Sequence, residues 1–190
     1  AGAASRYREM GGFMGAINSG PAEFYNCRAS GDVTGDNAND DNYGGFVGLL
    51  QTENCVFQDC RASGDVTAGI YVGGFVGYDY QAVYTRCSAR GNVVAIDGSA
   101  GGFVGVAIGD SQFTDCYAWG DVEDQSADGN AIGGFVGDEN SAATYTNCYS
   151  IGSVSGDASM IGGFFGYCYS GNPISTAIFW DTEASGQATD

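Results

Sequence analysis

Gly44-Gly45-Phe46-Val47-Gly48 is one of six copies of a segment that returns, with at most single substitutions, from Gly11, Gly44, Gly73, Gly101, Gly133 and Gly162. Successive starts lie 33, 29, 28, 32 and 29 residues apart, a period that belongs to solenoids, propellers and stacked arrays. A second segment follows each of the first five copies. Cys27-Arg-Ala-Ser-Gly-Asp-Val33 is matched by Cys60 to Val66, Cys87 to Val93, Cys116 to Val122 and Cys148 to Val154, with the same six-residue step from Cys to Val each time. The link from the last Gly of the first segment to the Cys varies, at 12, 12, 10, 11 and 11 residues. Fixed pieces suit strands and corners, and variable pieces suit surface loops.

Each piece is short, apolar at alternate positions and bounded by Gly, Asn or Asp, as strands are. No apolar spacing of three and four residues runs through a helical window, and glycine interrupts every candidate helix. A lap of about 30 residues with roughly three short strands is too small for a propeller blade. The expected fold is therefore all-β, a parallel β-solenoid of about six coils over residues 11–166, preceded by an arm or thin cap at 1–10 and followed by a final strand and cap or tail at 167–190. In such a stack the Phe of the first segment makes one column and the residue after it another. Neighbours on a strand face opposite sides, so either a kink turns both inward or one apolar column lies outside. The flanking glycines are expected at tight corners with positive φ. Ala177 to Asp181 takes the place of the aromatic-x-x-Cys strand, with Phe179 and Trp180 closing the core, and Glu183 to Asp190 is expected to trail off.

The charge of −17, from 23 acidic and 6 basic residues, argues against nucleic acid and anionic membrane surfaces as partners. No apolar run is long enough to cross a bilayer. The chain begins at Ala1 without Met and without a basic-then-apolar leader, which is expected of an exported product whose signal has been removed. Five of the seven cysteines share one point of the repeat, with Cys55 and Cys168 outside it. A buried column of small apolar side chains and cross-rung disulfides both fit that placement.

Without histidine the chain lacks the usual general base, the Ser-His and Cys-His nucleophile systems and the commonest zinc ligand. Clustered Asp with Arg, as in polysaccharide-cleaving β-helix enzymes, is the enzymatic rival; against it stands the scarcity of basic residues to hold an acidic sugar chain. Arg28 and Arg61 are expected in rung-to-rung ion pairs with Asp32 and Asp65. Catalytic and cofactor-binding residues are accordingly expected to be none. Calcium is the one candidate metal: Asp36, Asp40 and Asp41 in one elongated loop, and Glu123, Asp124 and Asp128 in another, offer the oxygen-rich coordination it prefers. A solvated acidic loop is the alternative.

The two recurring segments resemble the GLUG motif, a Gly-Gly-Phe-Val-Gly segment followed by Asn-Cys-Tyr-Ala-x-Gly-x-Val. The match is closest at Gly133 to Gly137 with Asn147-Cys148-Tyr149, and at Cys116-Tyr117-Ala118. Phe179 to Gln187 is similar to a segment that often follows such repeats. The resemblance implies an exported, extracellular or cell-surface β-solenoid of the kind found in bacterial adhesins and in the non-catalytic parts of immunoglobulin-A-cleaving metallopeptidases, with no chemistry attached. Two functions follow. The repeats run almost to the end with no obvious cap, and unpaired coil faces template further strands, so one is a structural subunit that joins copies of itself head to tail into a filament, with residues 1–10 as a junction arm. The other is an adhesin or binding module whose flat side recognises a glycan or host protein. The chain, with no wall anchor or membrane segment of its own, leans towards the first.

Overall fold

Parallel pairing in register turns the repeat into six coils. The computed structural model describes residues 8–35, 41–126, 130–140, 142–169 and 173–187. Coil one comprises β1 (Glu9–Gly11), β2 (Met14–Ile17), β3 (Glu23–Tyr25), β4 (Arg28–Ala29) and β5 (Val33–Thr34); the same five recur in coils two to four, the third and fourth fuse in coils five and six, and coil six has no counterpart of β5. Three anticipated strands per lap are thus five segments: the first repeat segment supplies a strand on each side of its corner, the link before Cys supplies the third, and the second repeat segment supplies the last two. β1 and β2 each open a six-stranded parallel sheet and β5 a five-stranded one. β3 and β4 enter a single ten-stranded sheet, because in coil five the two segments fuse into Thr144–Ser150. Gly11 pairs with Gly44, Gly44 with Gly73, Gly73 with Gly101, Gly101 with Gly133 and Gly133 with Gly162.

The kink that turns both columns inward lies at Phe. The amides of Phe46 and Val47 both donate to the Phe75 carbonyl, at 2.9 and 3.0 Å, and the same pair of bonds recurs at each later junction. Two successive amides converging on one acceptor break the strand's alternation, so Phe and Val are both fully buried from coil two to coil five. Phe13, Phe46, Phe75, Phe103, Phe135 and Phe164 stack with ring centroids 4.7, 4.8, 4.8, 4.9 and 4.7 Å apart. A second stack, Phe24, Phe57, Tyr84, Phe113 and Tyr145, meets the first edge to face, as between Phe46 and Phe57 at 5.9 Å. Each buried ring stabilises the fold by about 1.5–3 kcal/mol from burial alone.

The core has two lobes. The ring stacks, the Val column and the Cys column fill the larger; Val33, Val66, Val93, Val122 and Val154 with Tyr43, Val72, Ala100 and Ile132 fill the smaller. Between them is a waist. A Cβ on Gly45, Gly74 or Gly102 would lie 3.0–3.1 Å from the Cβ of Ala62, Ala89 or Ala118 and 2.2 Å from a backbone oxygen. These glycines are required by close approach and not, as expected from sequence, by positive φ, which none of the glycines of this segment adopts. Positive φ falls instead on the residue before the Cys column: Asn26, Asp59, Arg86, Asp115, Asn147 and, before Ile178, Ala177, at 51–58°. Asn and Asp tolerate that conformation best.

The ends depart from the repeat. Glu9 and Met10 already belong to β1, so the first coil begins inside the expected arm. Ile174–Trp180 completes the sixth lap, with Ile178 on the rung of Cys148. The expected tail instead begins with a helical turn, α1 (Thr182–Ser185), whose first amides donate to the Asp181 side chain. Trp180 packs against the core as anticipated, whereas Phe179 is 62% exposed.

A Cβ at Gly91 would sit 1.9 Å from the Gly64 oxygen, whereas one at the equivalent Gly31 would meet no described atom within 4 Å. Backbone cannot yield as a side chain can. Gly91→Ala is expected to cost about 3 kcal/mol or more in urea unfolding, while Gly31→Ala, the same chemical change in coil one, leaves stability nearly unchanged.

Candidate functional surfaces

Of the six carboxylates expected to bind calcium, Asp36, Asp40 and Asp128 lie outside the described residues. Asp41 borders a groove of about 510 Å³ lined also by Glu9, Asn42, Leu49, Gln51, Tyr71 and Tyr78. Glu123 and Asp124 are neighbours on one strand and so face opposite ways: Glu123 is exposed and accepts from Gln125, while Asp124 is buried and accepts from the Ser126 amide at 3.0 Å and hydroxyl at 2.8 Å. Their side-chain directions keep the two from sharing one cation. Among the described residues no three His, Cys, Asp or Glu side chains converge as a metal group.

The aspartates of the second repeat segment are structural, which corrects the expected ion pairs with Arg28 and Arg61. Asp32 Oδ1 accepts the Asp65 amide at 3.0 Å, Asp65 the Asn92 amide at 2.7 Å, Asn92 the Asp121 amide at 3.0 Å and Asp121 the Ser153 amide at 2.8 Å. Each side chain thus bonds to the coil that follows. An ion pair lies elsewhere, where Arg86 grips Asp59 through two 2.8 Å bonds.

All seven cysteines are free thiols. Within the column Cys60, Cys87 and Cys148 reach back to the Phe24, Phe57 and Phe113 carbonyls at 3.4, 3.3 and 3.5 Å. Burial pushes the Cys55 and Cys116 thiols up, which makes them poor nucleophiles.

Two buried acids interrupt the apolar core. Along one inward column the residues are Ile17, Leu50, Asp79, Ala107, Glu139 and Cys168. On the facing ring stack Tyr replaces Phe in the two coils that carry an acid: Tyr84 Oη donates to Asp79 Oδ1 at 2.7 Å, and Tyr145 Oη donates to Glu139. Ala107 and Phe113 restore the apolar pair in the coil between. Burial pushes the Asp79 carboxyl up to about 6 against the lowering hydroxyls of Ser111 and Tyr84, and burial, then the neighbouring carboxylate, raises Tyr84 and Tyr145.

Exposed large apolar side chains are unevenly placed. Among the described residues they are Met10, Phe13 and Tyr25 in coil one, Tyr167, Tyr169, Ile174 and Phe179 in coil six, and Trp119 alone between. Phe13 is 45% exposed where its stacked equivalents Phe46 and Phe75 are fully buried. At the other end Phe165, Tyr167, Cys168, Ile178 and Trp180 line an opening of about 420 Å³. No protein-family model, curated protein or solved structure matches the chain.

The coil-two pair Leu50 and Phe57 supplies a test of the buried acids. Asp79 holds its proton more tightly folded than unfolded, so its contribution is fully present below pH ~3.8 and is lost as pH rises through ~6, about 3 kcal/mol in all. Asp79→Leu combined with Tyr84→Phe is expected to raise stability at pH 7 by about 2–3 kcal/mol and to flatten the rise that the wild type shows from pH 6 to 4 in urea unfolding. Asp79→Leu alone leaves the Tyr84 hydroxyl buried without its acceptor and should be about 1–3 kcal/mol less stable than the pair.

Proposed function

We propose that this chain is a non-enzymatic structural β-solenoid of the cell exterior that extends end on, by seating the last coil of one copy against the first coil of the next. The resemblance to GLUG repeats supports the exported, surface setting, and the concentration of exposed large apolar side chains in the two end coils, with Trp119 alone between them among the described residues, supports the mode of contact. One residue carries the proposal. In coils two to five the glycine before Asp or its equivalent is needed because a Cβ at Gly64, Gly91, Gly120 or Gly152 would lie 2.1, 1.9, 1.9 or 1.9 Å from the glycine oxygen of the coil before. Gly31 holds the same place in coil one and has no described atom within 4 Å of that position. It is the residue that a further coil above would require. Phe13 and Phe24 present ring faces at the first coil, and Tyr167, Ile174 and Phe179 present apolar groups at the last, where Phe164 itself is buried; a repeated parallel contact that does not close on itself yields a filament.

Sedimentation velocity over a concentration series is the test. Association is expected, and it should strengthen from low to high salt because copies each carrying −17 repel until screened. Gly31→Ala should keep the wild-type melting temperature and weaken association at least tenfold. A chain that stays monomeric at every concentration in high salt, or a Gly31→Ala variant that associates like wild type, would overturn the reading.

A further inference from the structure

Trp119, the exposed ring outside the end coils, stands on the outer side of the sheet that contains β4. The Ala column Ala29, Ala62, Ala89 and Ala118 points inward there, and its two neighbours on each strand point out. One of these columns reads Arg28, Arg61, Ser88, Tyr117 and Tyr149, with Ser88 buried; the other reads Ser30, Ser63, Arg90, Trp119 and Ile151. Three of the chain's six basic residues therefore stand together, on a molecule whose charge is −17.

Their state is unusual. Arg28 and Arg61 are directly opposite each other in adjacent rungs, an arrangement that destabilises a sheet when the charges are alike. Neither makes an ion pair or a side-chain hydrogen bond among the described residues, since Asp32 and Asp65 are occupied with backbone amides. With Arg90 they line a shallow groove of about 260 Å³ floored by Ala29 between Ser30 and Ser63. Arg90 joins this groove to the rings: its guanidinium lies 5.5 Å from the Tyr117 ring centroid and 5.4 Å from that of Trp119, and it donates to Tyr117 Oη at 2.6 Å. Tyr117 and Tyr149 are stacked at 5.1 Å, and Trp119 is 52% exposed.

We propose that this face binds an anionic polysaccharide whose carboxylates are held by Arg28, Arg61 and Arg90 and whose sugar rings lie on Trp119, Tyr117 and Tyr149. Guanidinium groups match carboxylates with two parallel bonds, and a ligand carboxylate between Arg28 and Arg61 relieves the repulsion between them. An acidic peptide would use the arginines and leave the rings idle. A nucleic acid would use both, but three cations neutralise few phosphates on so acidic a chain. A polymer with one carboxylate per ring matches a row in which cation and aromatic sites follow one another at the rung spacing of ~4.8 Å. The face runs along the side of the solenoid and reaches the first coil only through Arg28 and Ser30; Arg61 and Trp119, in coils two and four, report on it apart from any end-on contact.

The test is binding of polygalacturonate oligomers to the full chain by calorimetry at about 0.15 M salt, where long-range repulsion is screened beyond ~8 Å. Binding is expected for the free acid and not for the fully methyl-esterified oligomer, which has the same rings without charge. Arg61→Gln and Trp119→Ala, both exposed, should each weaken it roughly tenfold, whereas Arg86→Gln, which removes the same charge from the Asp59 pair, should leave it unchanged. Equal weakening by Arg86→Gln would reduce the effect to net charge. That outcome, no binding of the free acid, equal binding of the ester, or polyglutamate or single-stranded DNA binding as tightly as the uronate, would overturn the proposal.

Discussion

In-register parallel pairing sets the rule that governs every position of this molecule: each side chain must live one strand spacing from its own equivalent. For Phe and Val that proximity is favourable. The six phenylalanines from Phe13 to Phe164 stack at 4.7–4.9 Å, so one choice of residue is rewarded at every junction and the core builds itself by repetition. For glycine the rule acts on space. Where the two lobes of the core meet at the waist, the backbone of one coil comes within van der Waals distance of the next, and only an absent Cβ fits.

For charged residues the same rule is a burden, and the chain meets it in different ways. The exposed aspartates Asp32, Asp65 and Asp121 each turn to an amide of the following coil, so the carboxylates serve as side-chain rungs. The buried acids Asp79 and Glu139 are kept apart by Ala107 and each given a tyrosine hydroxyl. Asp59 receives Arg86 from the next coil. Arg28 over Arg61 is a like-charged pair in which neither guanidinium forms a contact ion pair among the described residues, and for that reason it stands out as a place for something from outside.

The repeat made the architecture legible from sequence, because a lap of about 30 residues with fixed and elastic parts has few alternatives, and Phe46 lies one layer from Phe75 as that parse required. The local reason for the glycines was not legible: a Gly-Gly pair reads as a corner whether it serves φ or contact, and only coordinates separate the two. The left-handed column had a signal that went unused, since Asn26, Asp59, Asp115 and Asn147 recur immediately before Cys. So did the buried acid pairs, where Tyr84 and Tyr145 replace Phe in the coils that carry Asp79 and Glu139. Counting arginines suggested too few for an anionic ligand. The count was right, but stacking brings three of the six onto one face, which no composition can express.

The same acidity bears on the proposed end-on association. Carboxylates ring the sides of the coils at Asp32, Asp65, Asp97, Asp110, Asp121 and Asp157, whereas the end coils expose Phe13 and Met10 at one pole and Ile174 and Phe179 at the other. Two solenoids approaching side by side meet like charge over most of their flanks, the face that carries Arg28, Arg61 and Arg90 excepted; two approaching pole to pole meet apolar groups and unpaired strand edges together with the carboxylates Glu23, Asp181 and Glu183. Sheet edges are ordinarily guarded by charge against such pairing. In the proposed end-on contact the apolar groups of the poles have to outweigh the carboxylates beside them, which is why salt, by screening that repulsion, is expected to favour it.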